Sequence, residues 1–319
     1  MTPEGFRADL EATPTALLAL ADALDDVDWP VARGDRLILT GMGSSWFAAE
    51  TAARRMRAAG IKVTAEIASA EALAPPARDL TVVGITAGGG SLETLRHLAA
   101  HRGRSHTVAL TNNTAADLPA DDVVHLHAGD EAGGVACRSY VHTLVQLLHL
   151  EHQMAGSVPA LPDRVARAAA AAEHLLDTED DWLPAVARTL HGPDGTWLLA
   201  PAERLASALQ GALMLREGPR RPADGCETGD WCHVDVYLTK TLDYRALVFT
   251  GSRYDDDALR WMRERRSTFV AVGGPLAGAA TTVRFPGDDD PVVALLAEIL
   301  VPDLVASRWW SDGAAATGG

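Results

Sequence analysis

The stretch LTVVGITAGGGS, residues 80–91, decides the fold. Residues 80–85 form a continuous and mostly apolar run, which is typical of a strand buried on both faces of a parallel sheet. Three glycines then make a turn, and Ser91 is a good N-cap for a helix over residues 92–101. Strand, glycine-rich turn and helix in this order indicate an α/β unit that binds its ligand outside the carboxyl ends of the strands.

The turn itself suits an anion. Its glycines allow backbone N–H groups to converge at the start of the next helix, and the hydroxyls of Thr86 and Ser91 add donors. A tight turn that does no more than precede a capped helix is the alternative interpretation, and the turn alone leaves both open.

The same order occurs upstream. Residues 37–40 predict a strand, GMGSS follows at 41–45, and an amphipathic helix continues to about Arg57. This turn could also open a dinucleotide site, since Glu66 lies 23 residues after Gly43, near the position of a ribose-binding acid. However, Trp46 stands where that fingerprint needs its third glycine. We therefore expect no nicotinamide or flavin cofactor.

The second half of the chain repeats the pattern. The strand-end residues Thr40 and Ala200 are 160 positions apart, and Thr86 and Thr250 are 164 apart. This near-constant offset indicates an internal duplication, although two unrelated α/β domains would look alike at this level. The predicted elements of both halves are strands at 61–67, 80–85, 107–110, 123–126, 197–200, 246–249 and 268–272, and helices at 92–101, 135–154, 202–217 and 256–265.

The expected fold class is α/β, with two tandem doubly wound, flavodoxin-like parallel sheets in three αβα layers. We place an N-terminal helix and the first domain at 1–158, a helical connector at 159–191, and the second domain with a C-terminal tail at 192–319.

Composition excludes several classes of protein. A net charge of −15 argues against nucleic acid as a partner, because a phosphate backbone is bound mainly through Lys and Arg. No apolar run is long enough to span a membrane, and the first ten residues lack the order of charges of a secretion signal. Three cysteines fit a reducing compartment. A cytoplasmic location is expected.

The motifs together resemble the sugar-isomerase (SIS) family, in particular the isomerase half of glucosamine-6-phosphate synthase. GMGSS at 41–45, EIAS at 66–69 and VVGITAGGGS at 82–91 are similar to its first SIS domain, and GVAC at 134–137 is similar to its GVAS turn. The resemblance covers roughly residues 35 to 275. It implies that a phosphosugar binds at a set of loop residues: Gly43, Ser44, Ser45, Thr86, Gly88, Ser91, Ala136 and Cys137.

The second half carries the implied catalytic residues. QGALMLRE at 210–217 is similar to the family's EGALKLKE helix, and His233 lies 16 residues beyond Glu217, the offset that the family shows. The resemblance implies that Glu217 moves a proton between C1 and C2 of the sugar, while His233 assists ring opening. An exposed glutamate at a helix end and a histidine that merely packs are the plain alternatives.

Departures from the family qualify the chemistry. The SQSGET phosphate loop is here TAGGGS, with fewer side-chain donors, and the C-terminal PRNLAK segment and the glutaminase domain have no match in this sequence. The chain has two lysines, Lys62 and Lys240, and neither matches the family's lysine. A Schiff-base mechanism, which requires a lysine, is therefore disfavoured, whereas isomerisation or deaminating isomerisation through an enediol remains allowed.

Two further questions stay open on the sequence. The group Cys226, Glu227, Cys232, His233 and Asp235 could ligate zinc, but its spacing fits no usual zinc pattern, so we expect no metal.

The predicted function is a phosphosugar aldose–ketose isomerase, and a non-catalytic phosphosugar-binding protein is the alternative. SIS-type sites are often completed by a neighbouring subunit, so a homodimer is expected.

Overall fold

The computed structural model describes residues 1–32 and 34–317 of the 319-residue chain. It divides into two compact units. Residues 16–130 and 138–165 form one, here called the first unit; residues 1–15, 131–137 and those from 166 onward form the second unit. Along the described residues, no helix combines the length and apolar character that crossing a membrane would require.

The first unit is built on a parallel sheet of five strands in the order β2-β1-β3-β4-β5. Its central strand, β3, is buried along its whole length, as the apolar run at residues 80–85 predicts. The strands are β1 (Arg36–Gly41), β2 (Val63–Ile67), β3 (Leu80–Ile85), β4 (His106–Thr111) and β5 (Asp122–His125).

Helices cover both faces of this sheet. One face carries α3 (Ser44–Ala58), which packs on β1, β2 and α5 (Arg138–Ala155), and the other carries α4 (Leu92–His101), which packs on β3, β4 and β1. Ile38, Leu80, Val82 and Leu98 form a buried cluster under α4. The long helix α5 begins at Arg138, three residues later than the predicted start.

The second unit repeats the topology. Its parallel sheet has the order β10-β9-β8-β6-β7, the same crossover pattern read from the other edge. The strands are β6 (Thr196–Ala200), β7 (Ala223–Glu227), β8 (Arg245–Phe249), β9 (Thr268–Val272) and β10 (Thr281–Val283). Two doubly wound parallel sheets with helices on both sides confirm the predicted fold class.

The remaining helices lie mostly in the second unit. The helix α7 has Trp182, Leu183 and Val186 buried and packs on β8, β9 and β10, so it belongs to a helical layer of the sheet. The helices not yet named are α1 (Pro3–Glu11), α2 (Thr13–Ala23), α6 (Leu161–Asp177), α7 (Glu179–Leu190), α8 (Leu205–Glu217), α9 (Thr228–Trp231), α10 (Asp255–Arg265), α11 (Pro291–Ala297) and α12 (Leu300–Thr317), with 3-10 turns at Leu24–Asp26, Ala202–Arg204 and Asp235–Lys240.

The ends of the chain are organised by long-range contacts. Phe6 on α1 packs against Trp310 on α12, with ring centroids 6.0 Å apart. The buried carboxylate of Asp9 accepts hydrogen bonds from the backbone N–H groups of Ala132 (3.0 Å) and Gly133 (2.7 Å). The first helix and the 131–137 segment therefore group with the second unit, whereas the sequence assigned both to the first domain. The predicted C-terminal tail continues as α12 up to Thr317, and its last two glycines lie outside the described residues.

Candidate functional site

Two glycine-rich loops meet where the strand order of the first sheet reverses. β1 pairs with both β2 and β3, and the chain leaves β1 and β3 on opposite faces of the sheet. In sheets of this order, ligands bind in the crevice that this reversal opens at the carboxyl ends of the strands. The loops at this point are residues 41–45 and 86–91, the pair predicted to hold the sugar phosphate.

The 86–91 loop presents free backbone donors. Gly89 donates its N–H to the carbonyl of Thr86 at 3.0 Å and closes the turn. Within the described residues, no acceptor binds the N–H of Gly88 or of Gly90. The turn therefore holds two amide donors directly before α4, and this is the geometry that an anion requires.

The same two glycines face open space. A Cβ built at Gly88 or at Gly90 would meet no atom within 4 Å, whereas one at Gly89, where φ is +72°, would lie 2.9 Å from the side chain of Ala116. The fold thus requires glycine at position 89 and leaves room at positions 88 and 90. Close approach of a ligand to the backbone explains glycine where the protein itself does not demand it.

The 41–45 loop opens α3. Gly41 is required by packing, because a Cβ there would lie 2.7 Å from the Cβ of Ser45 and 3.2 Å from the carbonyl oxygen of Ile85. Gly43 is the N-cap residue, with φ of +53°, and no described side chain caps this helix. The hydroxyls of Ser44 and Ser45 bond to no described residue. The N-terminus of a 15-residue helix is therefore left free for an anion.

The hydroxyls of the second loop are partly engaged. The Thr86 hydroxyl accepts the Ser91 N–H at 3.3 Å and keeps its own proton to donate. The Ser91 hydroxyl accepts from the Thr94 N–H (3.5 Å) and the Thr94 hydroxyl (3.1 Å), and donates to Glu93 at 3.3 Å. Ser91 therefore caps α4, as predicted, and its hydroxyl has less capacity for a ligand than those of Ser44 and Ser45.

Ala136 and Cys137 lie in the segment that packs with the second unit. The Ala136 carbonyl accepts a hydrogen bond from Gln210 Nε2 on α8 at 2.7 Å. The Cys137 N–H donates to Glu131 Oε1 at 2.8 Å, and the Cys137 side chain is buried. Side chains of the chain itself thus hold this turn, and the Cys137 amide is already used.

Glu217 ends α8, half-buried. Its burial raises the pKa of the carboxyl, and the nearby guanidinium groups of Arg220 and Arg216 oppose that rise. A raised carboxyl pKa is what a proton-transfer base working near neutral pH needs.

His233 lies just after α9 and lines a cavity of 720 Å³. The side chain is exposed, and its backbone N–H donates to the Asp230 carbonyl at 2.8 Å. The other groups around the cavity are acidic and aromatic: Glu227, Asp230, Asp257, Tyr254 and Trp261, together with Arg260 and Cys232.

Glu217 and His233 lie toward opposite ends of the strands of the second sheet. The helix α8 runs back from the carboxyl end of β6, so Glu217 lies near the amino ends of the strands. At that end the Thr196 N–H, at the start of β6, donates to the Pro222 carbonyl, just before β7. β7 then returns across the sheet to Glu227, shortly before His233. Five strand residues span roughly 16 Å. Within one chain the structure does not bring these two predicted catalytic groups together.

The sequence offered Cys226, Glu227, Cys232, His233 and Asp235 as a possible zinc group. Among residues 1–32 and 34–317, no group of three or more histidine, cysteine or acidic side chains is arranged to hold a metal ion. Burial and, after it, the neighbouring carboxylates, chiefly Asp235, raise the pKa of the Cys226 thiol to about 12.

Comparison with known proteins agrees with this topology. No family model matches the chain. A glutamine–fructose-6-phosphate aminotransferase (isomerizing) from Gloeobacter violaceus is 26% identical over 311 residues, which cover 89% of this chain and 51% of that protein. The chain thus spans about half the length of this relative.

Solved structures match nearly the whole chain. The C-terminal domain of glucosamine-fructose-6-phosphate aminotransferase from Francisella tularensis superposes with a TM-score of 0.76 at 15% identity, covering 98% of this chain and 96% of that one. Tagatose-6-phosphate ketose/aldose isomerase from Escherichia coli gives 0.77 at 16% identity, covering 97% and 94%. The chain has the sugar-isomerase (SIS) fold.

Some residues of the candidate site can be located from sequence motifs, and others cannot. The loop residues stand at fixed positions after strands, so their motifs locate them. Glu131 and Asp9, which hold the 131–137 turn, follow no motif and were not predicted. Gln210 was part of a quoted motif, but its role in binding the Ala136 carbonyl required the structure.

Proposed function

We propose that this SIS-fold chain binds a small phosphorylated sugar at the loops 41–45 and 86–91. The observation that carries the proposal is the pair of unbonded amides at Gly88 and Gly90, which face open space beside the uncapped start of α3. Amide donors and two helix N-termini supply the local positive potential that a phosphate requires, even in a protein with a net charge of −15.

The reaction that we propose is aldose–ketose isomerisation through an enediol. Glu217 takes the proton alpha to the carbonyl and returns it to the neighbouring carbon, and His233 acts near the ring oxygen. Desolvation of Glu217 favours this role. No step through a Schiff base is proposed, since Lys62 lies beside the amino end of β2 and Lys240 in the 3-10 turn at 235–240.

The separation of Glu217 from His233 means that the proposed isomerisation requires two chains. If both act on one sugar, they come from two chains, so we propose a homodimer in which each subunit lends one of the two groups. The same separation favours a second candidate, a phosphosugar-binding protein without catalysis, because one chain does not bring Glu217 and His233 together.

Two measurements test the proposal in order. Thermal unfolding is followed with fructose 6-phosphate, glucosamine 6-phosphate and tagatose 6-phosphate, each against its unphosphorylated sugar. A ligand at 100 times its Kd stabilises the folded state by about 2.7 kcal/mol, so binding is readily detected. Stabilisation by a phosphorylated sugar alone is expected, and no stabilisation by any of them would refute both candidate functions.

Exchange of the sugar C2 proton in heavy water then separates the two candidates. Exchange in the wild type, its loss in Glu217→Gln with binding retained, and full exchange in the control Glu203→Gln, an exposed glutamate of the same unit, would establish catalysis. Tight binding with no exchange in the wild type would establish the non-catalytic alternative.

A further inference from the structure

A second groove lies on the first unit, and no residue of the loops 41–45 and 86–91 lines it. It measures 550 Å³ and runs along β2 from Lys62 to Glu66. Ile38, Leu80 and Ala74 contribute apolar surface to it. Thr64 and Glu66 face the same side of the sheet as Ile38 and Thr40, since Ile38 pairs with Thr64 and Thr40 with Glu66.

One end of the groove is basic. Lys62, Arg36 and Arg57 line it there. Arg36 is neutralised by an ion pair with Asp79 at 3.0 Å, and Arg57 donates to the Val63 carbonyl at 3.3 Å. The Lys62 ammonium forms no ion pair or hydrogen bond with any described residue, although its charge acts on Asp79. An unpaired ammonium in a strongly acidic protein marks this end for an anionic group.

The other end offers a carboxylate that accepts no hydrogen bond from the described residues. This is the Glu66 carboxylate, and its Oε2 is buried. Beside it lies His97, which is 1% exposed, with its Nε2 unbonded and 3.7 Å from Glu66 Oε2. His97 Nδ1 and the Thr40 hydroxyl are 3.1 Å apart, which fixes the ring. A buried polar group without a hydrogen bond is costly, and a hydrogen-bonding ligand at this end would satisfy both Glu66 and His97.

The spacing of the two ends selects the ligand. Four strand residues separate the Cα atoms of Lys62 and Glu66 by roughly 13 Å, and the long lysine side chain shortens the gap. A lone phosphate or an uncharged sugar would reach only one end.

We propose that this groove binds a nucleoside 5′-monophosphate, with the phosphate on Lys62, the ribose hydroxyls on Glu66 and the base over the apolar floor. The site is separate from the phosphosugar loops and independent of the proposed isomerisation.

Calorimetric titration of the full chain with AMP and with UMP tests this proposal. Binding of at least one nucleotide is expected, at least tenfold weaker in Lys62→Ala and in Glu66→Gln. The matched control Lys240→Ala removes the other lysine, which lies over the Tyr237 ring in the second unit, and should leave the affinity unchanged. Thermal unfolding of each variant checks that it is folded.

Adenosine and inorganic phosphate, each titrated alone, should bind more weakly than AMP, because each reaches one end of the groove. The variant Thr86→Val reports on the phosphosugar loops and should leave AMP binding intact. No binding of AMP or UMP to the wild type would overturn the proposal. So would nucleotide binding that Thr86→Val abolishes and Lys62→Ala does not affect.

Discussion

Gly88 shows how a single residue can separate binding from folding. Its φ is not in the left-handed region, and a Cβ there meets nothing within 4 Å. Where the native backbone accommodates alanine, Gly→Ala stabilises a protein by about 0.4–1 kcal/mol, because the unfolded chain loses freedom. The added methyl group would, however, occupy the space of a bound phosphate.

We therefore expect Gly88→Ala to unfold at the same or a higher temperature than the wild type and to bind the stabilising sugar phosphate at least tenfold more weakly. The control is Gly84→Ala on β3, where the Cβ would lie 2.7 Å from Leu98 Cδ1 and the cost is about 1–3 kcal/mol of stability. Thermal unfolding and calorimetric titration measure both. Unchanged affinity in a folded Gly88→Ala protein would contradict the proposal that the 86–91 loop binds the phosphate.

Glu217 makes a second prediction at the residue scale. Since burial raises the pKa of its carboxyl, the deprotonated base forms only at higher pH than for an ordinary glutamate. If isomerisation is found, kcat should rise with pH along an acid limb whose midpoint lies above the usual value of about 4.3. An acid limb at or below that value would show that another group is the base. The measurement is the pH dependence of kcat.

Among the elements, the 3-10 turn after β6 and the junction of α11 with α12 are joined by a buried ion pair. Arg204 bonds Glu298 and the Thr250 carbonyl, and the side chain of Glu298 is fully buried. Removal of one partner of such a pair leaves a buried charge uncompensated, and this costs about 3–5 kcal/mol.

Arg204→Met should accordingly lower the free energy of unfolding by about 3–5 kcal/mol, measured by urea denaturation. The double variant Arg204→Met/Glu298→Leu should regain much of the loss, because apolar residues of similar size often replace a buried pair without cost. A double variant no more stable than the single one would show that Arg204 acts mainly through the Thr250 carbonyl.

At the scale of the whole molecule, buried histidines couple the stability of the first unit to pH. Burial lowers the pKa of His97 to about 4 and that of His142 to about 4. Because both are lower than the value of about 6.5 in the unfolded chain, the unfolded state binds more protons between these limits. Their contribution is present above pH 6.5 and is lost as the pH falls toward 4.

The replacement His142→Gln, whose amide can still reach the Leu126 carbonyl, should flatten this dependence by up to about 1.4 kcal/mol per pH unit between pH 4 and 6.5. Urea denaturation at several pH values gives the slope. The exposed His174 on α6, replaced in the same way, controls for the loss of an imidazole as such. An unchanged slope in His142→Gln would mean that this histidine titrates normally.

Sequence patterns located the strands of the first sheet and the central strands of the second, and they missed both edge strands of the second sheet. β3 and β9 have the bounds that their apolar runs predict, because strands covered on both faces must be apolar throughout. β7, with the sequence ADGCE, and the short β10 were not predicted. Both are edge strands, where half-exposed positions need no apolar pattern.

The sequence by itself determined the doubly wound fold, its repetition in the second half and the two glycine-rich turns, because these depend on local chemistry: an apolar run, a glycine, a capping hydroxyl. Only the tertiary structure decided that Glu217 and His233 lie at opposite ends of the strands of one sheet. It also decided that Asp9 and Glu131 hold the 131–137 turn, and that the Glu66 carboxylate lines a groove and accepts no hydrogen bond from the described residues. These are relations between residues far apart in the chain, and packing, rather than local propensity, sets them.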